Sequence, residues 1–236
     1  MKIPIIALHS LLVSVFLTQF STGQTAAARA VNSAAADFAQ KGRYREANLA
    51  LVRSGTPVRI VFLGDSLTEY WGLNSGKWFD HSGWINRGIG GQTTSQLLLR
   101  ERDDALELHP LAIVLEGGSN DMRLGFSPEE IRDHLLTMAE LARAHGLAVF
   151  ITTMTPTCDC LRPLSGLRTV ERIRRLNTLL ATMCKEHRWN VIDINSPLSD
   201  SEGLMKAELT VDGVHPNDRG YALLAPVVEK ALRRYR

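Results

Sequence analysis

The sequence predicts an α/β protein: a five-stranded, mostly parallel sheet with helices on both sides, extended by a helical segment at the amino-terminal end. Two observations carry this. Short β-branched apolar runs of strand length recur from Val58 onward, and amphipathic stretches of helical length separate them. Strands alternating with helices close into a parallel sheet, because each crossover helix returns the chain to the same end of the sheet. The length, 236 residues, suits one large domain and leaves no room for two full ones.

Each element has its own signal. Val58–Leu63 is a β-branched apolar run of strand length, carrying Arg59, after Gly55-Thr56-Pro57, and Trp84–Asn86 is a short second strand. Thr94–Leu108 reads as a helix carrying Leu97, Leu98, Leu106 and Leu108. Leu111–Leu115 is the third strand. Ser127-Pro128-Glu129-Glu130 opens a helix with a capping serine, proline at the first position and a glutamate three residues after the cap. That helix runs to about His145, where Gly146 stops it. Ala148–Thr153 is the fourth strand, Thr169–His187 a helix and Asn190–Ile194 the fifth strand. Asp218–Arg236 closes the chain as a helix with Tyr221, Leu224, Ala225, Val228 and Leu232 on one face.

The amino-terminal stretch differs in kind. Lys2 followed by the mostly apolar Ile3–Phe20 and then small residues reads as an export signal over residues 1–23, with cleavage after Gly23 or Ala28. A retained membrane anchor is the alternative, disfavoured because Pro4, His9, Ser10 and Ser14 dilute the apolar run. The expected location is therefore secreted or periplasmic. Residues 24–55, alanine-rich as far as about Val52, form the expected helical extension, and residues 56–236 the main domain. A net charge of +2 gives no electrostatic case for nucleic acid or for an anionic membrane. Of three cysteines, Cys184 is expected to pair with Cys158 or Cys160 in an oxidising compartment, the alternative being three free thiols. Cys-x-Cys is too short for a metal site and no histidine stands at ligand spacing, so no metal is expected.

Three motifs fall just after three successive strands. Gly64-Asp65-Ser66-Leu67 follows the first, Gly88-Ile89-Gly90-Gly91 the second, and Gly118-Ser119-Asn120-Asp121 the third. Ligands of open parallel sheets sit beyond the carboxyl ends of the strands, so the three motifs converge on one rim. Ser66 on a tight strand-to-helix turn is a candidate nucleophile, though a serine there can also be a plain helix cap. Asp212-Gly213-Val214-His215 lies near the other end of the chain. His215 can take the serine proton and Asp212, three residues earlier, can orient the imidazole. Backbone N–H groups of Ser66 and Gly91 and the side-chain amide of Asn120 can receive a developing oxyanion. Trp71, Arg87 and Arg123 are the candidate substrate contacts. Trp78 and Phe79 read as packing beneath the first loop.

These four blocks, in this order from Gly64 to His215, resemble the SGNH (GDSL) hydrolases. The resemblance implies a three-layer α/β/α fold of flavodoxin-like kind, no cofactor, and the assignment of that family's serine, glycine, asparagine, aspartate and histidine to Ser66, Gly91, Asn120, Asp212 and His215. The third block reads Gly-Ser-Asn-Asp where relatives often have threonine or glycine before the asparagine. The stretch Asn86–Thr93, with Trp71, Trp78 and Phe79, is similar to the branch holding acetylhydrolases and carbohydrate acetylesterases. The expected activity is thus a serine esterase acting on acetyl esters of carbohydrates or small molecules. Long-chain acyl hydrolysis is the alternative within the class, and a non-catalytic carbohydrate-binding protein the alternative outside it.

Overall fold

Alternation along each strand decides which side chains face which layer. A computed structural model of the chain describes residues 36–235. The expected export signal and residues 24–35 of the expected extension lie outside the described residues. The strands are β1 (Ile60–Gly64), β2 (Trp84–Gly88), β3 (Ala112–Leu115), β4 (Ala148–Thr152) and β5 (Asn190–Ile192). They pair in the order β2-β1-β3-β4-β5. Every pairing is parallel, so the sheet expected to be mostly parallel is wholly so. The order reverses between β1 and β3, which opens a crevice at the carboxyl ends of these strands.

A parallel sheet is buried on both faces. Val61, Leu63, Ile113, Leu115, Val149 and Ile151 join one core cluster, and Ile60, Phe62, Ala112, Val114, Phe150 and Ile192 join the other. The first is covered by α3 (Thr94–Asp104), α5 (Pro128–Ala144) and α6 (Val170–His187), through residues such as Leu97, Leu135 and Leu176. The second is covered by α7 (Asp218–Leu232), through Tyr221, Leu224, Val228 and Leu232, and by the aromatic residues Trp71, Phe79 and Trp84. Two cores around one sheet make the three-layer α/β/α architecture. Each fully buried Leu or Ile contributes roughly 1.5–3 kcal/mol.

Among the described residues there are three further, shorter helices: α1 (Arg45–Ser54), α2 (Ser66–Tyr70) and α4 (Ser119–Arg123). The helix expected over Thr94–Leu108 breaks at Ala105, after which Leu106–Leu108 forms a 3₁₀ turn. β5 is shorter than expected because the Ile194 N–H leaves the ladder for the Thr153 hydroxyl, at 2.9 Å. The capping box of α5 forms as expected, with the Ser127 hydroxyl and the Glu130 backbone and side chain meeting reciprocally. Among the described residues no helix is long and apolar enough to cross a membrane.

The cysteine pairing departs from expectation. Cys158 bonds to Cys160, and Cys184 is a buried free thiol. Cys184, on α6, packs in the first core, whereas Cys158 packs in the second, so the sheet stands between them. Burial pushes the Cys184 thiol up to about 11, which keeps it protonated and inert.

Candidate active site

β1 ends at Gly64, and Asp65 caps the helix that follows, its Oδ1 accepting the Leu67 N–H at 2.9 Å. Ser66 is therefore the first residue of α2, where a backbone N–H has no intrahelical acceptor. The turn is fixed from the α7 side by the Tyr221 hydroxyl, which donates to the Leu67 carbonyl at 2.7 Å. Ser66 is 8% exposed, at the crevice formed by the strand ends.

The loop before α7 aims the imidazole. The Thr210 hydroxyl donates to the His215 carbonyl at 2.7 Å and accepts the Gly213 N–H at 2.8 Å. Gly213 takes φ +94°, which a side chain would resist, and its carbonyl accepts the Cys158 N–H at 2.8 Å. Asp212 Oδ1 accepts the Val214 and His215 backbone N–H groups at 2.9 and 2.8 Å. That leaves Oδ2 for His215 Nδ1, at 2.8 Å, with His215 Nε2 2.9 Å from Ser66 Oγ. With Asp212 accepting at Nδ1, the network assigns the proton to Nδ1 and leaves Nε2 as acceptor for the serine hydroxyl. Burial pulls the Asp212 carboxyl upward, but the His215 backbone and side-chain hydrogen bonds and the Val214 N–H outweigh it, and its pKa falls below the ordinary value. Arg162 reaches the same Oδ2 at 3.3 Å from an exposed position.

Gly91 has φ +81°, and a Cβ built there would meet nothing within 4 Å. Its N–H has no backbone acceptor among the described residues. Asn120 enters from the start of α4, its amide nitrogen donating to the Gln92 carbonyl at 3.0 Å and to Asp65 Oδ2 at 3.2 Å. The two loops are tied by Asp121, whose carboxylate accepts the Thr94 N–H at 3.0 Å and the Thr94 hydroxyl. The buried Arg168 holds the start of α4, donating to the Ser119 carbonyl and hydroxyl at 2.9 Å.

The three candidate substrate contacts fare differently. Arg87 is not at the crevice. It is buried behind β2, its Nε donating to Asn48 Oδ1 at 2.8 Å and its guanidinium lying 4.8 Å over the Tyr44 ring. Alternation along β2 turns it toward the amino-terminal segment, so its role is to tie that segment to the sheet. Trp71 is buried between Phe79 and Tyr221, with ring centroids at 4.8 and 4.9 Å, and its indole N–H is taken by the Lys77 carbonyl at 3.2 Å. Its edge reaches a pocket of about 330 Å³ shared with Tyr44, Leu73 and Trp78. Arg123 is exposed at the last turn of α4, three residues beyond Asn120.

One buried group behind the nucleophile escaped sequence reasoning. Glu116 Oε2 accepts the Asp65 N–H at 3.1 Å and the Thr68 hydroxyl at 2.9 Å. Burial, then the neighbouring Asp65 carboxylate, push its carboxyl well above the usual range. A signal existed: Glu116 follows directly on the apolar Leu111–Leu115, where a charge entering the layer of a buried strand needs partners.

Comparison with known proteins agrees with this architecture. The model of the GDSL-like Lipase/Acylhydrolase family matches residues 62–223. A GDSL-like lipase from Bacteroides thetaiotaomicron, known from a crystal structure, superposes with a TM-score of 0.75 at 30% identity, covering 84% of this chain and 98% of that one. Esterase TesA of Pseudomonas aeruginosa is 26% identical over 183 residues, 70% of this chain and 83% of its own. An acetyl xylan esterase shares the fold, with a TM-score of 0.61 at 21% identity over 74% of this chain and all of that one.

Proposed function

Because the chain belongs to the GDSL-like lipase/acylhydrolase family and is a carboxylic ester hydrolase, we propose that it cleaves short-chain, acetyl-type esters of carbohydrates or small molecules through an acyl-enzyme on Ser66. The observation that carries this reading is the hydrogen-bonded series from Ser66 Oγ through His215 Nε2 and Nδ1 to Asp212 Oδ2, at 2.9 and 2.8 Å.

The chemistry follows from those contacts. Ser66 Oγ attacks the ester carbonyl carbon while its proton passes to His215 Nε2. The imidazolium is stabilised by the Asp212 carboxylate, which stays ionised throughout. Negative charge grows on the former carbonyl oxygen and is met by the Ser66 and Gly91 N–H groups and the Asn120 amide. Asn120 turns from its longer bond, the 3.2 Å contact to Asp65, toward the oxyanion and keeps the Gln92 carbonyl. Collapse expels the alcohol, which takes its proton from His215. A water then gives a proton to His215, attacks the acyl carbon, and frees the acid and Ser66.

The acetyl preference is supported by the likeness of Asn86–Thr93 to acetylhydrolases, and the basic start followed by an apolar run supports export to a secreted or periplasmic location. The test is hydrolysis of p-nitrophenyl esters from acetate to palmitate, with Ser66→Ala as the blank. Activity is expected to peak at acetate or butyrate and to fall by a factor of ~10⁴ or more in the variant. A maximum at long chains rejects the acetyl preference, and an unchanged Ser66→Ala rejects the mechanism.

A further inference from the structure

The segment before β1 reaches the oxyanion loop at four places. The Ala39 carbonyl accepts the Gln92 side-chain amide at 2.8 Å. The Tyr44 hydroxyl donates to the Gly88 carbonyl. Asn48 receives Arg87 at 2.8 Å. Arg43 works through an intermediary: its Nη2 donates to Glu69 Oε1 at 3.0 Å, and Glu69 Oε2 accepts the Gly90 N–H at 2.7 Å. Residues 87, 88, 90 and 92 are thus all held, and Gly91 stands among them with its own N–H uncommitted to any backbone acceptor among the described residues.

We propose that Glu69, backed by Arg43, is a positioning residue that aims the Gly91 N–H at the oxyanion. This rests on the reading of Gly91 as an oxyanion donor given above. The argument is geometric. Peptide planes are rigid, so fixing the Gly90 N–H fixes the plane between Ile89 and Gly90. Only the two dihedrals of Gly90 then remain to orient the next plane, which carries the Gly91 N–H, and glycine alone would leave both loose. Glu69 sits one turn after Ser66 on α2, so the same helix carries the nucleophile and the loop's anchor. The closeness is direct: a Cβ built on Gly90 would lie 2.8 Å from Glu69 Oε2 and 3.7 Å from the Ser66 Cβ. A carboxylate so near a developing oxyanion would repel it. The Arg43 guanidinium offsets that charge, and the Glu69 side chain is only 14% exposed, so the pair is partly shielded from solvent.

The test compares Glu69→Ala, Glu69→Gln, Arg43→Ala and Ser66→Ala in the full chain, with p-nitrophenyl acetate as substrate and thermal unfolding as the control. Glu69→Ala is expected to lower kcat by about 10- to 100-fold, up to the value of one oxyanion donor, with KM within about twofold. Glu69→Gln keeps an acceptor oxygen for the Gly90 N–H and is expected to recover most of that loss. Arg43→Ala, at a half-exposed position that tolerates truncation, is expected to lower kcat by roughly three- to tenfold with Tm within about 2 °C. A wild-type kcat in Glu69→Ala, a change confined to KM, or no recovery in Glu69→Gln overturns the proposal. Should the Glu69 variants fail to fold, an unchanged kcat in Arg43→Ala overturns it alone. If Ser66→Ala is inactive while the Glu69 and Arg43 variants match wild type, only the positioning role fails. If Ser66→Ala retains activity, the hydrolase mechanism itself fails.

Discussion

Replacing Asp212 by Asn separates the orienting role of this carboxylate from its role in the loop. Asp212 makes four contacts: Oδ1 accepts two backbone N–H groups, and Oδ2 meets His215 Nδ1 and Arg162. Asparagine can keep Oδ1 facing the Val214 and His215 N–H groups, so the turn should survive. Its amide nitrogen then faces His215 Nδ1 and donates where the carboxylate accepted. The imidazole responds by placing its proton on Nε2, which can no longer accept from Ser66, and the imidazolium loses its counter-charge. In a catalytic triad this swap lowers kcat by about 10⁴, equivalent to roughly 5 kcal/mol of barrier at 1.36 kcal/mol per decade. Arg162 lies 3.3 Å from the position the new amide nitrogen would take, and its positive charge opposes an imidazolium there, so no compensation comes from that side. The assay is steady-state hydrolysis of p-nitrophenyl acetate with Tm measured alongside. A kcat within about tenfold of wild type, with Tm preserved, would refute Asp212 as the partner of the base.

Two further substitutions probe the site and the core. Asn120→Ala should lower kcat by ~10²–10³ with little change in KM. It should also cost about 1–3 kcal/mol of stability, because the Gln92 carbonyl and Asp65 lose their donor; wild-type turnover would remove Asn120 from the oxyanion site. Glu101 is fully buried with neither carboxyl oxygen hydrogen-bonded to a described residue, and burial pushes its carboxyl up to about 8. The unfolded chain sheds this proton near the ordinary value while the folded chain keeps it, so stability falls as pH rises from about 4.5 to about 8 and levels off above. Glu101→Met should therefore stabilise the protein by about 3 kcal/mol at pH 7 and by much less at pH 5, measured by urea unfolding at both values. Equal effects at the two pH values would show that Glu101 does not titrate as its burial requires.

What the sequence made legible was whatever is written locally. Strands of a parallel sheet are buried on both faces, so β1, β3 and β4 stand out as unbroken apolar runs. The serine, the glycine pair and the Ser-Asn-Asp turn lie immediately after strand ends, and strand order alone then gathers them. Asp212 and His215 share one turn, so their pairing needs no knowledge of the remainder of the fold. Facts that depend on which face of the sheet a residue meets were hidden. Cys184 and Cys158 are separated by the sheet itself, which no spacing rule reveals. Arg87 and Trp71 have the composition of ligand contacts, yet Asn48 and Tyr44 occupy the first and an aromatic cluster the second. α4 is only five residues long, too short for periodicity to register.

The largest misdirection concerns the helix that follows the oxyanion loop. Arg100-Glu101-Arg102-Asp103-Asp104 has the composition of a solvent-facing stretch, but Arg100, Glu101 and Asp104 are fully buried. The cover on part of this stretch is the helical extension that precedes the main domain: Asn48 donates to Asp104 Oδ1 at 2.7 Å and Lys41 pairs with Asp103 at 2.9 Å. Arg100 tolerates burial because its nitrogens donate to Gln92, Asp104 and the Gly64 carbonyl, at 2.6, 3.0 and 2.9 Å. Two of those three acceptors flank the reaction centre, Gly64 at the end of the strand leading to Ser66 and Gln92 beside Gly91. A charge buried at that point joins the strand that carries the nucleophile to the loop that receives the oxyanion, and two of its partners are themselves held by the amino-terminal segment, Gln92 through the Ala39 carbonyl and Asp104 through Asn48. The amino-terminal segment is therefore better understood as a wall of the hydrolase core than as an attachment to it.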